Sequence, residues 1–308
     1  MNFFSLIFFI AVLPVAVVFA RTKSDQLFLQ YEKAKQEIDE LNKKYPSATF
    51  EINKFSFMTS EERKKYSSDG LHTSKSVNYI HFDDENITAP ESYDYRDYDQ
   101  VTSVKNQRYD CGSCYAFAAT AAVESQYLIQ EDEELDLSEE YVLECDAVDF
   151  ECKGGYPAHA LDAYKTLGVP TEECVPYNAA NGTCPTVSCE KYKIDGYKSL
   201  GDDEDKYPGL IFKYGPAAIG MSTNEVLKQY KEGILDFPVE ECNGTRHAVL
   251  LVGYTPDYWI AKNSWGDTWG ESGFFRFKRG MNFCNFVTSE NVVPYLSTTI
   301  TTSTTSTP

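Results

Sequence analysis

The run Val104-Lys-Asn-Gln107-Arg-Tyr-Asp-Cys111-Gly-Ser-Cys114-Tyr-Ala-Phe117 leads straight into Ala118-Ala-Thr-Ala-Ala-Val-Glu-Ser-Gln-Tyr-Leu-Ile-Gln130. The second stretch is rich in alanine and other helix formers. Ser113 is a favourable N-cap residue, so the spacing predicts a helix that begins at Cys114. A thiol in the first turn of a helix meets the positive end of the macrodipole, which favours the thiolate. Cys114 is therefore a candidate nucleophile. Cys111-Gly-Ser-Cys114 also has the C-x-x-C spacing of a redox pair or of half a zinc site. No βαβ pattern precedes it. Zinc needs a second close pair, and the gaps from Cys145 to Cys152 and from Cys184 to Cys189 fit poorly.

A nucleophilic thiolate needs a base, and the histidines stand at 72, 81, 159 and 247. His159 lies in Tyr156-Pro-Ala-His-Ala-Leu-Asp-Ala-Tyr164 and reads as an exposed polar residue of a surface helix. His247 opens the apolar run Ala248-Val-Leu-Leu-Val-Gly-Tyr254, which predicts a buried strand. A histidine at a strand end is rigidly held, as a proton acceptor should be. Asn263-Ser-Trp265-Gly266 follows a second strand candidate, Tyr258-Trp-Ile-Ala-Lys262. The Asn263 side-chain carbonyl can accept from one ring N–H and fix the tautomer. Trp265 can cover that bond and exclude water.

Taken together, in the order Cys, His, Asn, these segments resemble the papain-like cysteine proteases, the cathepsins among them, from about Tyr31 to Tyr295. The resemblance implies an α+β, two-subdomain papain-like fold. A helical N-terminal half would face a β-barrel-like C-terminal half across the cleft. It also implies that Cys114 is the nucleophile, His247 the base and later acid, and Asn263 the orienter. Gln107 matches the oxyanion-hole glutamine. Gly154, Gly155, Tyr156 and Pro157 resemble the substrate-binding strip, where glycines let an extended peptide approach the backbone. Tyr156 and Pro157 would wall the main specificity pocket, Gly220 would enlarge it, and Ser289 would lie at its far end with Glu290 adjacent. That implies a hydrophobic P2 preference, with basic P2 residues accepted only if Glu290 points inward. No cofactor or metal is implied. The partners implied are peptide and protein substrates, the chain's own propeptide and cystatin-like inhibitors, with the enzyme a monomer.

The chain departs from the family pattern at three points. Gln107 to Cys111 spans four positions where three are usual, so residues 108–110 should bulge. Tyr115 stands where tryptophan is usual. Arg246 precedes His247, and a cation there should disfavour the imidazolium unless it swings into solvent. These departures keep open a catalytically silent, peptide-binding relative.

Nine cysteines leave one unpaired in an oxidising compartment. The resemblance implies Cys111–Cys152 and Cys242–Cys284. A spacing like that of cathepsin C adds Cys145–Cys184 and Cys174–Cys189, leaving Cys114 as the thiol. Phe3 to Ala20 is uncharged and ends Val-Phe-Ala, which reads as a secretory signal peptide cut after Ala20. A signal anchor fits less well, since Pro14 interrupts the run and Arg21 and Lys23 follow it. Sequons at Asn86, Asn181 and Asn243 agree with the secretory route, to a lysosome or the exterior.

Residues 21–88 lack cysteine, and the resemblance implies that they are a shortened inhibitory propeptide. Leu27, Tyr31, Ala34, Ile38 and Leu41 have helical spacing between Asp25 and Lys44. The peptidase domain would then be 89–296, too short to carry an occluding loop, which implies an endopeptidase. Residues 297–308 are a Ser/Thr-rich tail. The 308 residues are 42% hydrophobic and 24% charged, which excludes collagen, a disordered chain and a polytopic membrane protein. A net charge of −19 argues against a nucleic-acid binder, which needs a basic face.

Overall fold

The structure is a computed structural model that describes residues 23–66, 79–82 and 87–297. The expected signal peptide, Asn86 and most of the Ser/Thr tail lie outside the described residues. No helix among the described residues is long and apolar enough to cross a membrane.

The helices are α1 (Lys23–Lys44), α2 (Ser60–Lys64), α3 (Cys114–Glu131), α4 (Glu139–Cys145), α5 (Pro157–Thr166), α6 (Tyr207–Tyr214) and α7 (Glu225–Lys228). The strands are β1 (Ala48–Phe50), β2 (Tyr93–Asp94), β3 (Gly196–Ser199), β4 (Ala217–Ser222) and β5 (Tyr230–Leu235). They continue with β6 (Arg246–Tyr254), β7 (Tyr258–Lys262), β8 (Phe274–Lys278) and β9 (Val292–Tyr295). The sheet runs β1-β5-β8-β7-β6-β4-β9-β3, with β2 beside β6. All pairs are antiparallel except β5 with β8.

Strand β6 explains its own sequence. Successive side chains of a strand point to opposite faces. Val249 and Leu251 enter a core with Trp259, Trp269 and Phe275. Ala248, Leu250 and Val252 enter a second core with Tyr115, Leu143 and Leu161 of the helical half. Burial on both faces requires an unbroken apolar run rather than alternation. Helix α3 is likewise buried all round from Cys114 to Gln126, which makes it the central helix of its half.

A polar tie joins the halves. Lys105 meets Glu124 of α3 at 2.8 Å, Asp136 at 2.7 Å and Glu139 at 3.0 Å. Lys262 of β7 donates to Thr102 Oγ1 at 3.0 Å, and Thr102 donates to Glu124. Buried charges of this kind are tolerable because each has a partner.

The N-terminal segment is built onto the sheet. Strand β1 pairs with the β5 edge, and Gly233 has φ +96 with Ser47 O only 2.5 Å from where a Cβ would sit. Asn42 holds this strand, donating to Phe50 O at 3.0 Å and accepting Phe50 N–H at 2.7 Å. The apolar stripe of α1 is only partly used. Ala34 and Ile38 are buried, whereas Leu27 and Tyr31 are exposed, because nothing described packs on the first turns.

Four disulfides join Cys111–Cys152, Cys145–Cys184, Cys174–Cys189 and Cys242–Cys284, the pairs that the resemblance implies. With Cys111 bonded to Cys152, a Cys111–Cys114 redox pair is excluded.

Candidate active site

Helix α3 begins at Cys114, but Ser113 does not cap it through its side chain. The Ser113 hydroxyl instead lies 2.6 Å from the Tyr177 hydroxyl. The first turn is closed by backbone alone, with Phe117 N–H donating to Ser113 O at 3.2 Å. The thiol is buried and outside every disulfide.

His247 is the second residue of β6, and β7 ends one residue before Asn263. The pairing of Leu250 with Lys262 brings the two side chains together. His247 Nε2 lies 2.7 Å from Asn263 Oδ1, which also accepts the Ser264 N–H at 2.8 Å. An amide oxygen only accepts, so Nε2 carries the hydrogen and Nδ1 is left to exchange a proton. Nδ1 has no hydrogen-bond partner among the described residues. Trp265 stacks on the imidazole at 4.8 Å and is itself fully buried. Burial pushes His247 down to about 4; the Asn263 bond pushes back, and nearby Lys228 adds to the fall.

Gln107 is buried, although Arg108, Tyr109 and Asp110 bulge outward and are exposed. Its backbone N–H donates to Ser264 O at 2.9 Å and its Oε1 accepts from Ser264 Oγ at 2.7 Å. One Nε2 hydrogen goes to Cys111 O at 3.2 Å. An amide nitrogen has a second hydrogen to give.

Cys114 and His247 line one cleft, together with Gly155, Tyr156, Pro157 and Gly220. Gly154 adopts φ +119, a region that side chains avoid. Gly155 is required for a different reason: a Cβ there would lie 2.3 Å from Asp149 Oδ2. Ser289 does not line the cleft and Glu290 does. Ser289 belongs to the scaffold, its carbonyl accepting from Ser199 Oγ at 2.8 Å. Arg246 is only partly exposed and does not swing free into solvent. It crosses Gly220, which has no side chain to block it, and meets Glu290 at 3.0 Å. The sequence hint was a lone arginine and a lone glutamate 44 residues apart, with nothing to link them.

His159 differs most from its expectation. It is buried, 2.8 Å from Asp149 through Nδ1, because α5 turns this face inward against α3 and α4. Nothing in the sequence around His159 signals this placement.

The N-terminal segment covers the Trp265 side of the site. Trp265 Nε1 donates to Tyr66 O at 3.2 Å, and Lys54 Nζ donates to Trp265 O at 2.6 Å. Burial pushes Lys54 down to about 8. Tyr79 lies at the other side, where burial and then Glu290 raise its pKa.

Residues 89–295 match the model of a family described as papain family cysteine protease. A viral cathepsin of Epiphyas postvittana nucleopolyhedrovirus is 37% identical over 255 residues, 77% of this chain and 76% of its own length. Digestive procathepsin L2 from Tenebrio molitor larval midgut superposes with TM-score 0.82 at 31% identity, over 90% of this chain and 95% of its own. Bromelain from Ananas comosus, solved with the E64 inhibitor, gives TM-score 0.61 at 36% identity, over 67% of this chain and 99% of its own.

Proposed function

Because the chain belongs to the papain family of cysteine proteases, we propose that it is an endopeptidase made as an inactive proenzyme, with Cys114, His247, Asn263 and Gln107 as its catalytic group. The hydrogen bond from His247 to Asn263 on the cleft shared with Cys114 carries this reading. The neutral imidazole of His247 takes the Cys114 thiol proton in one transfer, and the thiolate so formed stabilises the imidazolium beside it. The thiolate sulfur then attacks the peptide carbonyl carbon, and the carbonyl π pair moves onto oxygen. The Cys114 N–H and the second Gln107 amide hydrogen would hold that oxyanion. His247 returns its proton to the leaving amine, giving a thioester. It then takes a proton from water as that water displaces the sulfur.

Residues 21–88 would act as the propeptide. Contacts of Tyr66 and Lys54 with Trp265, and of Tyr79 near Glu290, support blockage of the cleft from both sides. Residues 1–20 would direct secretion, and the exposed Asn181 and Asn243 would be glycosylated, as would Asn86. The pocket walls Tyr156, Pro157 and Ala248 favour an apolar P2 side chain. The Arg246–Glu290 pair neutralises the one acid that would draw a basic P2 residue.

The test treats the activated protein with an epoxysuccinyl thiol-protease probe and maps the label by mass spectrometry. Labelling of Cys114 that is lost in His247→Ala supports the mechanism. An accessible Cys114 that stays unlabelled overturns it.

A further inference from the structure

Asp149 and His159 form a buried acid–imidazole couple, directly beneath the substrate strip. Their side chains are 1% and 5% exposed. One Asp149 oxygen meets His159 Nδ1 at 2.8 Å, and the other accepts the Tyr156 backbone N–H at 3.0 Å. Tyr156 occupies the N-cap position of α5 and His159 its third residue, so one carboxylate grips both ends of the first turn. It satisfies the N–H of the N-cap residue itself, and a negative charge at a helix N-terminus is favourable. Between Asp149 and Tyr156 the loop closes on itself, with Phe150 N–H donating to Gly154 O and Gly154 N–H to Glu151 O. That loop carries Gly154, Gly155 and Tyr156. The Tyr156 ring stands edge-on to His159 at 5.5 Å.

Further titratable groups face the couple from each neighbouring element. Asp146, after α4, accepts the Val148 and Asp149 N–H groups through Oδ1 at 2.9 and 3.3 Å. Its other oxygen is buried, close enough to Asp149 for the two side chains to interact. Tyr115 of α3 has a buried hydroxyl with no hydrogen-bond partner among the described residues, near Asp149, Asp146 and Glu151. Asp162 of α5 and Tyr79 of the N-terminal segment complete the set. Carboxyls and phenols thus surround one imidazole.

We propose that Asp149 and His159 are positioning residues that hold the Gly154–Tyr156 wall of the cleft, and that the cluster they form with Asp146 must keep a proton for the wall to grip substrate. The proposal builds on the cysteine protease reading. Its direction follows from the buried charges. Burial, and then Asp149, push Asp146 up to about 7, so its ionisation beneath the wall is resisted throughout the acidic range. Burial alone would lower His159, but the bond and charge of Asp149, with Asp146 and Asp162 beyond, raise it. Both effects favour the ordered wall in acid. Above neutrality Asp146 ionises and His159 loses its charge as pH passes its raised pKa, so carboxylates repel without compensation.

The experiment measures KM and kcat on one peptide between about pH 5 and about pH 8. It uses enzyme activated from the full chain, with sites counted by epoxysuccinyl titration. Wild-type KM should rise about tenfold toward the alkaline end, the loss of one charge-assisted hydrogen bond. Asp146→Asn, close in shape, should hold that rise within about twofold. His159→Gln should raise KM about tenfold in acid while kcat changes less than about twofold, since it touches no reacting atom. A flat wild-type KM, or an Asp146→Asn enzyme that follows the wild-type rise, overturns the proposal while leaving the protease reading intact. A chain in which no Cys114 reacts overturns both.

Discussion

His247 lines the cleft and His159 lies beneath its opposite wall, His247 the more deeply buried, each with one side-chain hydrogen bond of almost equal length, 2.7 and 2.8 Å. Their proton preferences are opposite. His247 is driven down to about 4, first by burial, because Asn263 is neutral and cannot repay the lost hydration of a cation. Burial disfavours the His159 cation too, yet the Asp149 carboxylate reverses the balance. Burial alone therefore does not decide the charge of a histidine; the charge of its partner enters the balance as well. The difference matches two jobs. A base that must take and return a proton in every cycle is poorly served by a permanent anion beside it. A structural clamp is well served by one.

The largest effect should come from removing chemistry on the His247 side. Cys114→Ser should lower kcat/KM on a fluorogenic peptide by about 10⁴-fold or more, with the disulfides and fold intact. Next, Asn263→Ala should cost about 10²-fold in kcat by freeing the imidazole. Asn263→Asp breaks the comparison more directly, since it gives His247 the kind of partner that His159 has. Its ring should keep its proton to higher pH, moving the alkaline limb of the kcat/KM profile upward. An unmoved limb would mean that the partner is not what separates the two histidines.

A smaller effect belongs to the pocket floor. Arg246→Ala should uncover the Glu290 charge and raise the ratio of Arg-P2 to Leu-P2 hydrolysis by about fivefold, while Glu290→Gln should leave that ratio low. An unchanged ratio in Arg246→Ala would show that the pair does not set P2 choice. The smallest effect is read by titration. In Asp149→Asn the His159 midpoint, followed by NMR, should fall as the opposite charge disappears. For stability the sign is that of a raised histidine. Its contribution is complete below the unfolded value near 6.5 and is lost as pH rises through the folded value.

The catalytic side was legible because its signals are local. Cys114 heads a stretch of helix formers, His247 opens an apolar run, and Asn263 closes another. Each is fixed by neighbours in sequence, so helix and strand periodicity place it. Strand β6 was readable as buried for the same reason, since burial on both faces leaves no polar residue in the run. The clamp side was not legible. Asp149, His159 and Tyr156 are close because the loop folds back beneath α5, and no periodicity records a turn of that kind. His159 has small and apolar neighbours in sequence and reads as a surface residue until α5 is laid against α3. The Arg246–Glu290 pair is a meeting of β6 with the segment before β9, two elements on either side of β4 in the sheet. Ser289 and Glu290 sit in the turn that precedes β9, and only the way that turn folds decides which one faces the cleft.

By itself, then, the sequence pointed to the residues proposed as nucleophile, base and orienter, to a buried strand after His247 and to the helix that carries Cys114. These follow from short-range propensity and hydrophobic pattern. Only the tertiary structure decided which histidine keeps a proton, which acid lines the pocket and where Arg246 goes. Electrostatic energy depends on distances through space, and those exist only after the two halves have packed.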